Sequence, residues 1–552
     1  MDLESILRRQ SRMEAERGNF ENLWEEVGQR LFPQKDDFKT KYSPGIQRNS
    51  RQYDSFPQLA LGRFAAAMES GLTPRTVKWH NLSTGDPQLD DDDEVRLYLE
   101  ALNEILWRNR YLPRNNFASQ NHETLISGGA FGTGVMFIEE NPLGGTRYLA
   151  PHLSQIFLSQ NAGGMIDTVH RKFEITARNV IKVFNRDDDK VPEKAMKAME
   201  DGQPDMKMEV LHVVMPNEEY DPAMLDRQGK PFSDLYVDMR TKEIIRKDGY
   251  HEFPYAIDRH VVSPNEVYGR GPGTMLLPDI KMLNEMKRTD IEARQMAVDP
   301  PLLLHDDGIL GEFRLMPGAR NYGAVDDQGR QLAHPFQNGA QLQESMVGIQ
   351  DVRSQIDDAF LGVYFRVLLE NPSMTATQAL LIAQQQGQMT APVVGRKQTE
   401  YLGPMIKRES GILFRQGRHP PVPQRIADAL AERGEPLSIE YDSPMTRAAQ
   451  AEEGIALQRS LEGLAPWAQI VGPEVYAKFN PEKVSEIICR VNGVPQEALY
   501  TDAEMEAIEE QKAAQQAIQL ALQAAPVAAQ AAQAMEQGQR EAGVSPLPAA
   551  VA

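Results

Sequence analysis

Two acidic pairs are the residues whose type and spacing could support metal chemistry. Asp306 stands next to Asp307, and Asp326 stands next to Asp327. Carboxylate oxygens are the ligands that Mg²⁺ prefers, so the pairs could hold Mg²⁺ for nuclease work. Both pairs also occur at turn signals, where aspartate is favoured because its side chain hydrogen-bonds the nearby backbone. We prefer the turn interpretation and keep a metal-dependent nucleic-acid enzyme as the alternative function.

A basic segment, 391–419, is the second chemical feature of a chain that is otherwise acidic. It contains six basic and two acidic residues. On a helix of about 100° per residue, the six basic side chains fall within an arc of roughly 120°. The predicted basic face consists of Arg396, Lys397, Lys407, Arg408, Arg415 and Arg418. Pro404 predicts a kink in this helix. The face is either solvated or directed toward DNA or a neighbouring subunit.

Other signatures of catalysis are missing from the sequence. There is no GxxxxGK[ST] phosphate loop and no HExxH, GxSxG or DxDxDG pattern. The glycine-rich stretch 128–134 follows a helical pattern and precedes a strand, the reverse of the dinucleotide-binding order, and predicts a tight turn. The ten histidines are scattered along the chain. We therefore predict a protein that is not an enzyme and uses no cofactor or metal.

Length and charge narrow the class of protein. A chain of 552 residues predicts two to four structural units. Its 59 basic and 79 acidic residues give a formal net charge of -20. A protein that grips DNA tightly usually has the opposite sign, so DNA is either not a partner or passes without sticking. We expect no membrane span and no signal peptide, and the single cysteine, Cys489, excludes an intrachain disulfide.

The first 272 residues predict an α+β unit, with helices first and a mostly antiparallel sheet after them. Asp90–Asp93 precede a helical stripe, so we interpret them as a solvated N-terminal cap rather than a metal site. The predicted helices cover about 20–31, 55–72, 95–106, 121–127 and 177–185. The predicted strands are 134–140 and 147–151, which form a hairpin, and 168–176, 206–215 and 235–246.

Two long helices then bracket a small β-rich module. The apolar pattern predicts helices over 278–297 and 341–365, with short strands and turns between them, which together form a stalk with a tip. A strand is predicted at 437–441, followed by helices up to residue 492 and a helix that opens at Thr501. Alanine and glutamine dominate 511–537, which forms a helix if neighbouring copies pack there and a frayed tail if they do not.

Several short segments, taken in order, resemble one family. They are Glu21–Trp24 with Phe32 and Pro33, Ala65–Ala67 leading to Gly71–Pro74, Gly132–Gly134, Tyr268–Pro272, Leu277–Ile280 with Leu283 and Asn284, and Tyr441–Pro444. The chain resembles the head-to-tail connector, or portal, family of podoviruses over roughly residues 15–500. The ordered set carries the resemblance, since no single segment is specific.

The resemblance implies an α+β, helix-rich subunit that assembles as a ring. The implied parts are a wing at 1–272, stem helices at 273–298 and 341–368, a clip with β structure at 299–340, a tunnel loop and inner helix at 369–420, a return to the wing and start of the crown at 421–500, and a crown helix and tail at 501–552. Portals resemble one another in forming closed rings, typically of twelve subunits, so a twelve-subunit ring is expected here.

The implied function is a DNA channel at one capsid vertex, used for genome packaging, head–tail joining and DNA ejection. The implied partners are other copies of the chain, double-stranded DNA, the terminase large subunit, scaffolding protein, major capsid protein and a tail adaptor, with assembly in the host bacterial cytoplasm and residence in the virion. Another capsid or tail-tube component of the virion is the third possibility.

On the basis of the resemblance, residues are also assigned to the channel and to the clip. The channel residues expected to face DNA are Gln384, Gln385, Gln386, Arg396, Lys397, Lys407, Arg408 and Arg415. The clip residues expected to face the terminase or the adaptor are Asp306, Asp307, Arg314, Arg320, Asp326 and Asp327.

Overall fold

A computed structural model describes most of the first 443 residues. The described ranges are 3–43, 45–90, 92–186, 189–304, 342–362, 391–433 and 437–443, with short pieces between 320 and 335 and scattered residues after 459. The chain divides into two compact units, Met1–Glu452 and Glu453–Ala552. Only isolated residues of the second unit are described, so the fold below is that of the first.

Helices and antiparallel sheets are grouped along the first unit rather than alternating, which makes it α+β, as the sequence predicted. The helices are Leu3–Leu31 (α1), Phe56–Leu72 (α2), Pro87–Asp90 (α3), Asp93–Arg110 (α4), Phe117–Phe131 (α5), Ala177–Val183 (α6), Glu193–Glu200 (α7), Pro272–Met275 (α8), Leu277–Val298 (α9), Leu342–Ala359 (α10), Gly403–Arg415 (α11) and Gln424–Arg433 (α12). The strands are His80–Ser83 (β1), Thr133–Glu140 (β2), Thr146–Leu149 (β3), Ile156–Gln160 (β4), Ile166–Thr176 (β5), Lys207–Pro216 (β6), Phe232–Asp238 (β7), Glu243–Tyr250 (β8), Tyr255–Arg259 (β9), Leu302–Leu304 (β10), Ala333–Pro335 (β11) and Ser438–Tyr441 (β12).

Antiparallel pairing organises every sheet in the described part of the chain. One sheet has the strand order β4-β5-β6-β7-β8, and a smaller sheet has the order β3-β2-β9. The predicted hairpin is confirmed, since Glu140 of β2 pairs with Thr146 of β3. The predicted strand at 235–246 is wrong in one respect, because it is two strands, β7 and β8, joined by a turn at Lys242.

The core lies where the apolar stripes predicted for the first two helices meet, which confirms both stripes. Trp24, Val27 and Leu31 of α1 pack with Phe64 and Met68 of α2 in the largest buried cluster. The predicted cap is confirmed for Asp92, whose side chain accepts hydrogen bonds from the backbone N–H groups of Glu94 and Val95. Asp90 instead accepts hydrogen bonds from Ser83 and Thr84. The glycine-rich stretch turns later than predicted, since α5 continues to Phe131 and Gly132 makes the turn.

The two long helices of the predicted stalk are present and lie antiparallel. Met286 of α9 lies beside Gly348 of α10, and Asp290 lies beside Ser345. The second helix ends at Ala359 rather than at 365, because Leu361 has a positive φ of 60° that no helix can contain. Strands β10 and β11 pair with each other between the two helices. Most of 299–340 lies outside the described residues.

Candidate nucleic-acid interface

The predicted basic helix contains an irregular turn beside its proline. Residues 391–397 are helical, Gln398–Leu402 form a π-helical turn, and α11 follows. Pro404 has no N–H to donate to the carbonyl four residues back, so the regular ladder cannot continue there. The N–H of Gly403 reaches the carbonyl of Gln398, which also accepts the Tyr441 hydroxyl at 2.8 Å. The predicted irregularity is therefore a π turn that Tyr441 stabilises.

One face of this helical segment is apolar and buries against the smaller sheet and α4. Its buried side chains pack with Met136 and Ile138 of β2 and with Ala256 of β9. They are Tyr401, Leu402, Met405, Ile406, Ile412 and Leu413. Polar groups that enter this interface lose their water and must find partners inside the protein.

Lys397 is the first of the predicted basic residues to enter the interior. Its ammonium donates to both carboxylate oxygens of Asp258, at 2.6 Å to Oδ2, and neither side chain is exposed. The absence of a side chain at Gly128 makes room for this pair, since a Cβ there would collide with Asp258 Oδ2. Burial and the neighbouring Lys397 charge lower the pKa of His260 to about 3, so this imidazole is neutral.

A second buried ion pair joins α11 to α4. The Arg110 guanidinium donates to Glu409 at 3.0 Å and to His80 Nε2 at 2.8 Å, and it lies 4.6 Å over the Trp79 ring. The Tyr148 hydroxyl also donates to Glu409. Burial opposes the charge on Arg110, but the Glu409 carboxylate outweighs it and raises the pKa of the guanidinium. Burial, followed by the charge of Arg110, holds the pKa of His80 well below its usual value.

Two arginines of α11 share a single acid. Arg408 donates to Glu252 at 2.8 Å, and Arg415 donates to both carboxylate oxygens of Glu252 at 2.6 and 2.8 Å. Burial would raise the pKa of Glu252, but the two guanidinium groups reverse this and lower it. Gly411 lets the helix approach, since a Cβ there would collide with the Glu252 carboxylate. Glu252 therefore fixes the C-terminal half of α11 against the loop between β8 and β9.

A third acid neutralises the N-terminal part of the segment. Glu400 accepts two hydrogen bonds from Arg259 of β9, at 2.6 and 2.9 Å, and lies 3.5 Å from Arg396. Arg259 is almost wholly buried, whereas about a third of the Arg396 side chain is exposed. The bidentate geometry makes the Arg259 contact the stronger of the two.

The single basic face predicted from the sequence is therefore wrong for Lys397 and Arg408. Both side chains lie inside the subunit, because Asp258 and Glu252 compensate their charges there. Lys407, Arg415 and Arg418 are exposed, and Arg396 is partly exposed. For Arg396, Lys407 and Arg415, contact with DNA stays a prediction.

Most of the other predicted site residues lie outside the described part of the chain. Arg320 is described and exposed. The remaining residues, Gln384, Gln385, Gln386, Asp306, Asp307, Arg314, Asp326 and Asp327, lie outside the described residues. Their roles in the channel and the clip stay predictions.

Sequence reasoning missed the acids that hold this helix. Glu409 had a signal, because it falls on the apolar face between Met405 and Ile412. A carboxylate on an apolar helical face needs a buried partner, and a partner search would have singled it out. Asp258 and Glu252 had no comparable signal, because one lies within a strand and the other in a loop.

Several of the segments that carry the resemblance meet at one junction beside this helix. Gly132 has a φ of +84°, and a Cβ there would collide with the carbonyl of Gly269, so the two glycine segments pack backbone to backbone. The indole N–H of Trp24 donates to Phe131 O at 3.1 Å, and the Tyr268 ring packs edge-on against Trp24. Trp24 and Tyr268 therefore fix the end of α5 against α1 and the segment that leads into α8.

Metal-ligand clusters and membrane-spanning helices are both absent from the described part of the chain. Among its residues, no three His, Cys, Asp or Glu side chains come together as metal ligands would. No helix in the described ranges combines the length and apolar character that spanning a membrane requires.

Comparison with known proteins gives one consistent result. The model of a family described as bacteriophage head to tail connecting protein matches residues 3–499. The chain is 26% identical over 545 residues to the portal protein of Salmonella phage epsilon15, which covers 98% of this chain and 94% of that protein. It is 24% identical over 516 residues to the probable portal protein of Bordetella phage BPP-1, which covers 93% and 91%.

Proposed function

The chain belongs to the bacteriophage head to tail connecting protein family and has its head–tail connector role, and from that premise we propose that its copies close into a ring at one capsid vertex, through which DNA is packaged and ejected. The observation that carries the proposal is the extent of the match. It covers nearly the whole chain, and both relatives are named as portal proteins.

The architecture of the described residues supports a subunit built for assembly. In the stem helix α9, only Leu277, Ile280, Leu283 and Asp290 are buried, although the helix has 22 residues. A helix that buries so little of its surface in one subunit is typical of chains whose missing contacts lie on a neighbour. The helical hairpin with the β10–β11 pair between its arms is the arrangement proposed for stem and clip.

The proposed parts follow the order of the chain. They are the wing at 1–272, the stem at 273–298 and 341–368, the clip at 299–340, the tunnel loop and inner helix at 369–420, the wing return and start of the crown at 421–500, and the crown helix and tail at 501–552. The clip docks the terminase large subunit during packaging and the tail adaptor afterwards. Scaffolding protein and major capsid protein surround the ring, which forms in the host cytoplasm and remains in the virion.

The channel is proposed to handle DNA without reading its sequence. A formal charge of -20 on every subunit repels phosphates and keeps the duplex from sticking. The exposed cations Arg396, Lys407 and Arg415, together with Gln384–Gln386, supply weak contacts to the backbone. The chain itself has no proposed catalytic role, and the energy for DNA movement comes from the terminase.

The mass of the purified full-length protein tests this function. Light scattering at moderate salt, coupled to negative-stain imaging, is expected to show particles close to twelve subunits with a central channel. A protein that stays a monomer or dimer, both alone and with its scaffolding protein, would contradict the proposal. Mg²⁺-dependent cleavage of duplex DNA by such a monomer would favour the nuclease alternative instead.

A further inference from the structure

An apolar groove runs between the two stem helices and is open to solvent. Its volume is about 440 Å³. The lining includes Met282, Met286 and Ala293 of α9 together with Leu342 and Ser345 of α10, and the carboxylates of Glu285 and Asp290 border it. A cavity of roughly 150 Å³ holds one small apolar molecule, so the groove has room for two or three apolar side chains.

Two large apolar side chains of the second of these helices, α10, are exposed. Met346 and Val347 are 57% and 62% exposed. Val347 lies about 160° around the helix from Ile349, which is buried against the rest of the subunit. Val347 therefore points away from the buried face of α10, and it cannot fill the groove of its own subunit.

Val347 and the groove lie at the same level along the two stem helices. Val347 stands between Ser345 and Gly348, and these two residues contact Asp290 and Met286 at the middle of the groove. A rotation axis that runs along the stem moves one copy onto the next without changing its level. Under that symmetry, a projection on one side of a subunit meets a groove on the other side of its neighbour.

The charges around the two surfaces agree with that contact. Glu344 and Asp351 are exposed and flank Val347 at i−3 and i+4. Lys287 and Arg294 hold the buried Asp290 beside the groove and are themselves 31% and 42% exposed. The projecting side therefore carries carboxylates, and the groove side carries cations balanced by its own carboxylates, so charge does not oppose a head-to-tail contact between copies.

We infer that Val347 of one copy occupies the α9–α10 groove of the next copy, and that this contact closes the stem of the ring. The inference rests on the proposed ring function and adds the surfaces that build it. Because the two surfaces differ, the contact is heterologous and repeats from subunit to subunit until the ring closes.

Disulfide cross-linking between copies tests the pairing. Cys489 is first replaced by serine, and Val347→Cys and Thr289→Cys are then made as separate proteins in that background, since Thr289 lines the groove close to the level of Val347. Mild oxidation of the mixture after co-assembly is expected to give cross-linked dimers, and neither variant alone should give them, because a disulfide needs Cα atoms within about 7 Å. A chain that carries both cysteines should give a ladder up to the full ring.

A matched control uses Leu97→Cys, which places the thiol on an equally exposed position of α4. It should not cross-link to Thr289→Cys. Rings that form normally but give no cross-link between positions 347 and 289 would overturn this inference and leave the ring function standing. A protein that forms no rings under any condition would overturn both.

Discussion

The helical segment at 391–415, proposed as the inner helix, and α9, proposed as a stem helix, are both rich in charge, yet they use it in opposite ways. The charged residues of this segment pair mainly with partners on other elements, and two of these pairs, Lys397–Asp258 and Arg110–Glu409, are wholly buried. The exposed charges of α9 pair mainly along their own helix, as Arg288 does with Glu285 and Glu292. The first pattern fixes the segment 391–415 within its own subunit. The second leaves the surface of α9 available for contact with another molecule.

The physical difference is the cost of removing a charge from water. An exposed pair spaced four residues apart on a helix contributes about 0.3–0.5 kcal/mol. A buried pair loses its hydration, so its net contribution is small, but removing one partner costs several kcal/mol because the other remains charged and unpaired. The buried pairs therefore specify where the inner helix sits more than they add to stability.

The largest expected effect follows from breaking the Arg110–Glu409 pair. Glu409→Gln keeps the shape of the side chain but leaves the Arg110 guanidinium buried without its counter-charge. We expect the free energy of unfolding to fall by about 3 kcal/mol. Urea denaturation followed by circular dichroism measures it.

The stem provides the matched control for this substitution. Glu292→Gln breaks an exposed pair of the same chemical type, with half of each side chain in solvent. It should change the free energy of unfolding by less than about 0.5 kcal/mol. Equal losses from the two substitutions would contradict the distinction between the regions.

A pH dependence due to buried histidines is expected from residues 1–272 and not from α9 or α10, neither of which contains a histidine. Burial lowers the pKa of His170 and of His260 to about 3, and that of His152 to about 4. The unfolded chain takes up these protons near pH 6.5, so it binds more protons than the folded protein between about pH 6.5 and 4. Stability is therefore expected to fall as the pH is lowered through this range.

His260→Phe isolates one of these contributions. The phenyl ring can keep the packing against Phe64, whose centroid lies 5.8 Å from that of the imidazole. The variant should lose stability less steeply between pH 6.5 and 4, by about 1.4 kcal/mol per pH unit at most. Urea titrations at several pH values measure the two slopes, and identical slopes would show that His260 does not contribute.

The smallest expected effect concerns an exposed cation of the inner helix. Lys407→Ala should leave the stability of the subunit unchanged, because the side chain is exposed. If Lys407 neutralises a phosphate, the variant should reduce the slope of log K against log salt for duplex binding to rings by about 0.9 for each phosphate that it no longer neutralises. Fluorescence anisotropy with a short labelled duplex measures the slope. Arg8→Ala, at an exposed position of α1, is the control and should not change it.

Much of the secondary structure could be predicted from the sequence because the signals for it are local. The stripe of Phe20, Trp24 and Leu31 and the acidic cap at Asp92 each lie within a few turns of helix, so periodicity and capping chemistry identified the elements. The errors also have local causes. Lys242 at the β7–β8 turn and Leu361 after α10 adopt positive φ without being glycine, so the sequence gives no warning of either break.

The sequence by itself determined most of the longer elements, their order and the family, because periodicity and short segments are properties of neighbouring residues. The short strands β1, β4 and β9 were not predicted from it. Only the tertiary structure decided which charges of the basic segment are buried. Lys397 meets Asp258 from 139 positions away, Arg408 meets Glu252 from 156, and Glu409 meets Arg110 from 299. A helical wheel places side chains around one axis, but it cannot show what packs against each side. Burial, and with it the role of each charge, depends on those distant partners.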